Sequence, residues 1–279
     1  MDRRMLLSLL SIGAAEALLA ACSASASPAP GEQPSASNTP REAPAGPAAA
    51  GTVAAAPGQP LPPIPPPHPG PAHPTFQAPD RTQQIALTID DGYDPQTVAG
   101  YVEFAQRSKI PITFCPNGAY RQIWDQHAPV LRPLIEASQV QIGNHTWTHH
   151  QLPGRSDADI RTDVEKNEEW IQKTFGITSR PWFRPPYGAH NQHVDGVVAE
   201  MGYPRILLWN GSFGDSTQLT PDQLIGLATC YLQPGTIMLG HANHPTVLGL
   251  FDRIQQLIAE RHLQPVTLDT MFGTSRATG

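Results

Sequence analysis

Cysteine is scarce in this chain, with three in 279 residues. One of them, Cys22, has a separate role proposed below, so at most one disulfide can join the other two, Cys115 and Cys230. In an exported protein these two form either a bridge or a pair of buried thiols, and nothing in the sequence brings their segments together. Charge is also sparse, at 15% of residues, and the net charge of −6 shows no basic cluster. That argues against nucleic acid as a partner. No glycine-rich phosphate loop and no internal repeat is present. The longest apolar run, LLSLLSIGAAEALLAA, is too short and too interrupted by Glu16 to span a membrane comfortably.

That run reads instead as an export signal. MDRRM supplies the basic start, and Leu-Ala-Ala-Cys closes it in the manner of a bacterial lipobox, whose cysteine carries lipid in the mature protein. An ordinary secretory peptide with a chance cysteine is the plainer reading. Arg3-Arg4 also resembles a twin-arginine signal, which leaves the export route open. Proline is abundant but unevenly placed, with 17 of 31 prolines between residues 23 and 80. That stretch offers almost nothing to build a core, so it is expected to be a disordered Pro/Ala-rich tether. The chain thus divides into a signal (1–22), a linker (23–80) and one folded domain (81–279), about 200 residues and ample for one well-buried core.

From residue 84 onward, short apolar β-rich runs alternate with longer amphipathic ones. QIALTI, IPITFC, VQIG, RPWFR, PRILLW, TIMLGH and LQPVTL read as strands. PQTVAGYVEFAQRS reads as a helix with Val98, Tyr101, Val102 and Ala105 on its apolar face. Ser156 is placed to cap a long helix, and Thr220-Pro221 to open another. PTVLGLFDRIQQLIAERH reads as one further helix. About seven alternations predict an α/β domain of parallel strands, a distorted and nearly closed (β/α) barrel rather than an open doubly wound sheet.

The polar groups collect in a pattern. Asp90-Asp91-Gly92, Asn144-His145 with His149, Arg184-Pro185-Pro186-Tyr187, Asp215 and His241 each lie just past the C-terminal end of a predicted strand. In β/α barrels that end carries the active site. His145 and His149 are four apart, so a helical turn would stack both rings on one face. Two imidazoles plus a carboxylate form a common catalytic zinc set. The His-x-x-x-His spacing alone also suits a polar surface, and an isolated Asp-Asp-Gly suits a turn. Adjacent carboxylates after a strand point different ways, so one can bind metal while the other acts as base. Arg184 can orient a carboxylate through a bidentate pair or cap a surface. His241 can be a core histidine or a general acid. His150, about 100° further round a helical turn from His149, is expected to stand apart.

In combination and order, these segments resemble the polysaccharide deacetylase family, carbohydrate esterase family 4, over about residues 83 to 270. The matching motifs are Thr88-Ile89-Asp90-Asp91-Gly92, His145-Thr146-Trp147-Thr148-His149, Arg184-Pro185-Pro186-Tyr187 and Leu239-Gly240-His241. The resemblance implies a (β/α) barrel and a divalent cation, usually Zn2+ with Co2+ or others as alternatives, held by Asp91, His145 and His149. It implies Asp90 as general base oriented by Arg184, an activated water attacking the acetyl carbonyl, and an oxyanion held partly by the Tyr187 N–H. His241 would protonate the leaving amine, tuned by Asp215. The implied substrate is an N-acetylated glycan such as peptidoglycan or a chitooligosaccharide, the implied partner a membrane reached through lipid on Cys22. The protein is expected to be a monomer on the outer face of the cell membrane, reaching into the wall.

The chain departs from the family in three places. Ile89 and Cys115 replace usual aromatics. In the fourth motif, Ser212-Phe213-Gly214-Asp215-Ser216 keeps only the second of two aspartates and lacks the tryptophan, which should loosen the packing around His241 and alter the sugar wall. O-acetyl esters and non-sugar amides therefore stay open as substrates, as does a catalytically weak glycan-binding lipoprotein. Retention of both Asp90 and His241 favours an enzyme, because binding needs neither a base nor an acid.

Overall fold

The computed structural model describes residues 67–80 and 82–274. The signal, its lipobox and most of the tether lie outside the described residues. Strands β1 (His73–Thr75), β2 (Gln84–Asp91), β3 (Ile112–Pro116), β4 (Val140–Ile142), β5 (Trp182–Phe183), β6 (Arg205–Leu207), β7 (Gly211–Ser212), β8 (Ile237–His241) and β9 (Gln264–Pro265) alternate with α1 (Pro95–Ser108), α2 (Arg121–Asp125), α3 (Ala128–Glu136), α4 (Asp157–Phe175), α5 (Gln192–Glu200), α6 (Pro221–Tyr231), α7 (Phe251–Glu260) and α8 (Leu268–Phe272). All strand pairs are parallel.

The strands form two arcs, β4-β3-β2-β8-β7 and β1-β6-β5, with β9 beside the start of β2. A single bridge between Asn144 and Phe183 joins one arc to the other, and an antiparallel bridge between Gln77 and Thr236 approaches from the other side. The result is the distorted β/α barrel that the alternation predicts. β2 is central and buried along almost its whole length, as a parallel strand covered on both faces must be.

The helices keep their predicted faces and caps. In α1, Asp94 accepts from the Thr97 N–H at 2.7 Å and Pro95 opens the helix, while Val98, Tyr101, Val102 and Ala105 are buried. Ser156 caps α4, and Thr220 with Gln223 closes a full capping box on α6.

Three segments differ from the sequence expectation. The end of the proline-rich stretch is not all tether: β1 pairs with β6, and Thr75 and Ala78 are buried. The run expected as one helix after β8 breaks into a 3-10 turn at Pro245–Gly249 followed by α7, with Leu250 at the junction. The last expected strand is only Gln264–Pro265; Pro265 has no N–H for the ladder, and Thr267 then caps α8. Among the described residues no helix is long and apolar enough to cross a membrane.

Cys115 is a free thiol, buried on β3, so no bridge joins it to Cys230 on α6. It stands in register with Asp90 on the neighbouring strand. Burial first, then the negative charge of Asp90, pushes this thiol well above its ordinary range, which makes it an inert hydrophobe.

Candidate active site

The strand ends deliver the polar groups to one place. Asp90 and Asp91 are the last residues of β2, and His241 is the last of β8, in register with Asp90. His145 follows β4, Arg184 follows β5 and Asp215 follows β7. One ligand atom from each of Asp91, His145 and His149 lies within 4.8 Å of the others. The Asp91 Oδ1 atom is 3.3 Å from the His145 Nε2 and 3.4 Å from the His149 Nε2.

The two histidines do not reach this arrangement through a helical turn. Thr146 and His149 adopt left-handed backbone, φ 65° and 56°, and the rings meet edge to face with centroids 4.8 Å apart. Such backbone is unfavourable for a β-branched threonine, so its neighbours must enforce it. They do: the Asn144 side chain accepts from the Thr146 N–H at 3.0 Å, the Thr146 hydroxyl accepts from the His149 N–H at 3.1 Å, and Asn117 donates to the carbonyls of His145 and Thr146. Asp91 and Tyr187 are left-handed too, so among the described residues four of the seven non-glycine residues with positive φ belong to this site. His150 is exposed and outside the triad.

Gly92 explains the third residue of Asp-Asp-Gly. Its φ is +100°, and a Cβ there would come within 2.3 Å of the Trp124 indole, whose N–H donates to the Asp91 carbonyl at 2.9 Å. No side chain fits that position.

The triad suits a cation. The His145 Nδ1–H donates to the Arg184 carbonyl at 2.8 Å, which aims Nε2 at Asp91; burial opposes charging of this ring, but Asp90 and Asp91 raise its pKa, so a cation would displace the Nε2 proton. The Asp91 Oδ1 atom is buried without a hydrogen-bond partner, the cost a bound cation would remove. Burial opposes ionisation of Asp91, but the neighbouring His145 ring, with the charges of His149 and His241, holds it far below the usual carboxylate range. Burial, then repulsion from His145, brings His149 down to about 4. An ionised carboxylate beside an uncharged imidazole is the protonation state ligation requires.

Asp90 stands outside the triad, its Oδ2 3.7 Å from the His145 Nε2. Arg184, wholly buried, reaches it with one bond, Nη1 to Oδ2 at 3.1 Å. The bidentate pair does not form, because Nη2 donates to the Thr88 hydroxyl at 2.8 Å. The other Asp90 oxygen is buried and without a hydrogen-bond partner. Across the register, Asp215 holds His241 twice, accepting from the ring Nδ1–H at 3.0 Å and from the backbone N–H at 3.1 Å. The looser packing expected there is not seen, since Phe213 is buried against Gly240. Tyr187 is 70% exposed, and its ring lies 4.5 Å from that of His149.

With this geometry established, residues 77–206 match the family described as polysaccharide deacetylase. This segment is a polysaccharide deacetylase domain. The chain is 24% identical over 205 residues, 72% of each chain, to a peptidoglycan-N-acetylglucosamine deacetylase of Bacillus cereus. The chitin deacetylase of the fungus Colletotrichum lindemuthianum superposes with a TM-score of 0.62 at 20% identity, over 74% of this chain and 94% of that one. A protein described as a CE4 family pseudoenzyme from Bacillus anthracis superposes with a TM-score of 0.63 at 20% identity, over 71% and 68% of the two chains. The deacetylase fold therefore does not by itself decide activity.

One residue of this site is not singled out by the sequence. Asn243, buried two positions past His241, donates from Nδ2 to the Asp91 Oδ2 at 2.7 Å and accepts from the Gly92 N–H at 3.2 Å. It satisfies one carboxylate oxygen and so aims the other at the histidines. Asn243→Ala is expected to weaken zinc affinity by roughly 10- to 100-fold, measured by competition with a chromophoric chelator. Unchanged affinity would mean the strand end alone orients Asp91.

Proposed function

We propose that this chain is a metal-dependent hydrolase that removes acetyl groups from N-acetylated glycans of the cell wall, acting outside the cell from a lipid anchor at Cys22. The observation that carries this reading is that Asp91, His145 and His149 converge while Asp90 and His241, a base and an acid, stand in register beside them. A binding module would need neither. The relatives named as peptidoglycan and chitin deacetylases point to the same substrate class.

A divalent cation on the triad, with zinc the first choice, would polarise the acetyl carbonyl and acidify a water. The chain's own residues then divide the proton work. Asp90 takes a proton from the attacking water, its free oxygen available because Arg184 occupies the other. The left-handed backbone at Tyr187 turns its N–H toward the forming oxyanion in this reading. His241, charged through Asp215, gives a proton to the departing amine as the carbon–nitrogen bond breaks. The products are acetate and a free amine on the sugar.

The zinc- or cobalt-loaded protein is expected to release acetate from peptidoglycan fragments or chitooligosaccharides and less from acetylxylan. Release from acetylxylan alone would redirect the reading to O-acetyl esters. No release from any of the three would leave the glycan-binding lipoprotein as the better account.

A further inference from the structure

Phe76, Tyr93 and Tyr187 are the large hydrophobic side chains exposed among the described residues, and two of these three are neighbours of the triad, in sequence or in space. Tyr187 lies against His149. Tyr93 follows Asp91 by two residues, so its Cα is at most about 7 Å from that of the metal-site carboxylate.

Tyr93 is 43% exposed yet not free to move. Its ring meets His244 edge-on, centroids 6.0 Å apart at 89°, and its hydroxyl is 3.3 Å from the His244 Nε2. Tyr120 packs at 5.8 Å and 58°. These three groups come from three separate connections, after β2, β3 and β8. The Asn243 side chain that holds Asp91 also receives the Tyr93 N–H at 3.5 Å, which ties the ring to the triad. A surface tyrosine with no task rarely acquires two ring partners and a hydroxyl contact while keeping much of its area in water. An aromatic face of this kind offers a dry surface for the C–H side of a pyranose and a polar edge for its hydroxyls.

We propose that Tyr93, braced by Tyr120 and His244, is a stacking platform for a sugar of the glycan chain outside the unit that loses its acetyl group. This rests on the glycan reading above. The triad, Asp90 and His241 take the reacting unit, whereas Tyr93 is tied to Asp91 through Asn243 and Tyr187 packs on His149. Tyr93 would thus make chain length, rather than the acetyl group, a determinant of affinity, and would supply sugar contact in a chain whose fourth motif lacks its tryptophan.

The test uses the zinc-loaded Asp90→Asn protein as parent, so that ligands bind without turnover, and titrates N-acetylglucosamine and its β-1,4 tetramer by calorimetry. Adding Tyr93→Ala is expected to weaken tetramer binding roughly tenfold, with the monomer moving by less than about twofold. Tyr93→Phe and Tyr93→Trp should stay within about twofold of the parent, since both keep the ring face. Equal tetramer affinity in parent and Tyr93→Ala overturns the platform, and so does equal weakening of monomer and tetramer. A parent that binds no tetramer overturns it as well. If the tetramer binds in a Tyr93-dependent way but the wild type releases no acetate, the platform stands and the deacetylase reading falls. Acetate release with no dependence of tetramer affinity on Tyr93 gives the reverse.

Discussion

Asp90→Asn is expected to lower acetate release by about a thousandfold while the protein still carries one equivalent of zinc. The substitution changes almost nothing but basicity. An amide oxygen in place of Oδ2 can still accept from the Arg184 Nη1, now 3.1 Å from the carboxylate, and the buried volume is preserved. The triad uses Asp91, whose own oxygens face His145, His149 and Asn243, so it should survive. What disappears is a carboxylate beside the triad, with one oxygen free of hydrogen bonds, that can take a proton from water. Metal content by elemental analysis and acetate by coupled assay separate the two roles. Loss of zinc together with activity would make Asp90 a ligand, its 3.7 Å approach to His145 being the first sign of that. Retained activity would move the base elsewhere.

Much of this site was visible in the sequence because barrel geometry is simple. A strand that ends in Asp90-Asp91 must present those residues at the mouth, and the same holds for His241 after an apolar run. The parts that were not visible depend on backbone conformation or on partners distant in sequence. His145 and His149 are four apart, which suggests a helical turn, but Thr146 and His149 are left-handed and the rings converge through a loop. Nothing in His-Thr-Trp-Thr-His announces that, because the conformation is imposed by Asn117 and Asn144. Asn243 looks like any loop asparagine until its side chain is seen on Asp91, 152 residues away in sequence. Its place two residues past a strand-end histidine was the available signal. β1 was hidden by composition, since His73–Thr75 ends a proline-rich tract and contributes only one buried residue to the strand. Arg184 has one contact on Asp90 and a second on Thr88, and the second could not be counted from spacing.

His241→Ala is expected to lower the rate on N-acetylated chains by roughly 100- to 10,000-fold, and Asp215→Asn to shift the pH profile. A group that donates a proton to a leaving amine must be charged at the working pH. Burial lowers the pKa of His241, but the hydrogen bond and charge of Asp215, with the charges of Asp90 and Asp91, raise it to about 9. The acid function is therefore present below that value and lost as pH rises through it. A cation on the triad repels the ring charge and draws this limb downward, yet the effect of Asp215 keeps its sign. Asp215→Asn removes the leading favourable charge and leaves burial to act against protonation, so the alkaline limb should move toward acid pH. Asparagine keeps the size of the side chain but only one acceptor oxygen, so it can hold the ring Nδ1–H or the His241 backbone N–H, not both. Rates of acetate release from a tetramer, taken from pH 5 to 10, read the limb directly. A substrate whose leaving group needs no proton, such as 4-nitrophenyl acetate, should lose much less on His241→Ala. If both substrates fall equally, or if Asp215→Asn leaves the alkaline limb in place, His241 serves the fold or the binding of substrate rather than the departure of the amine.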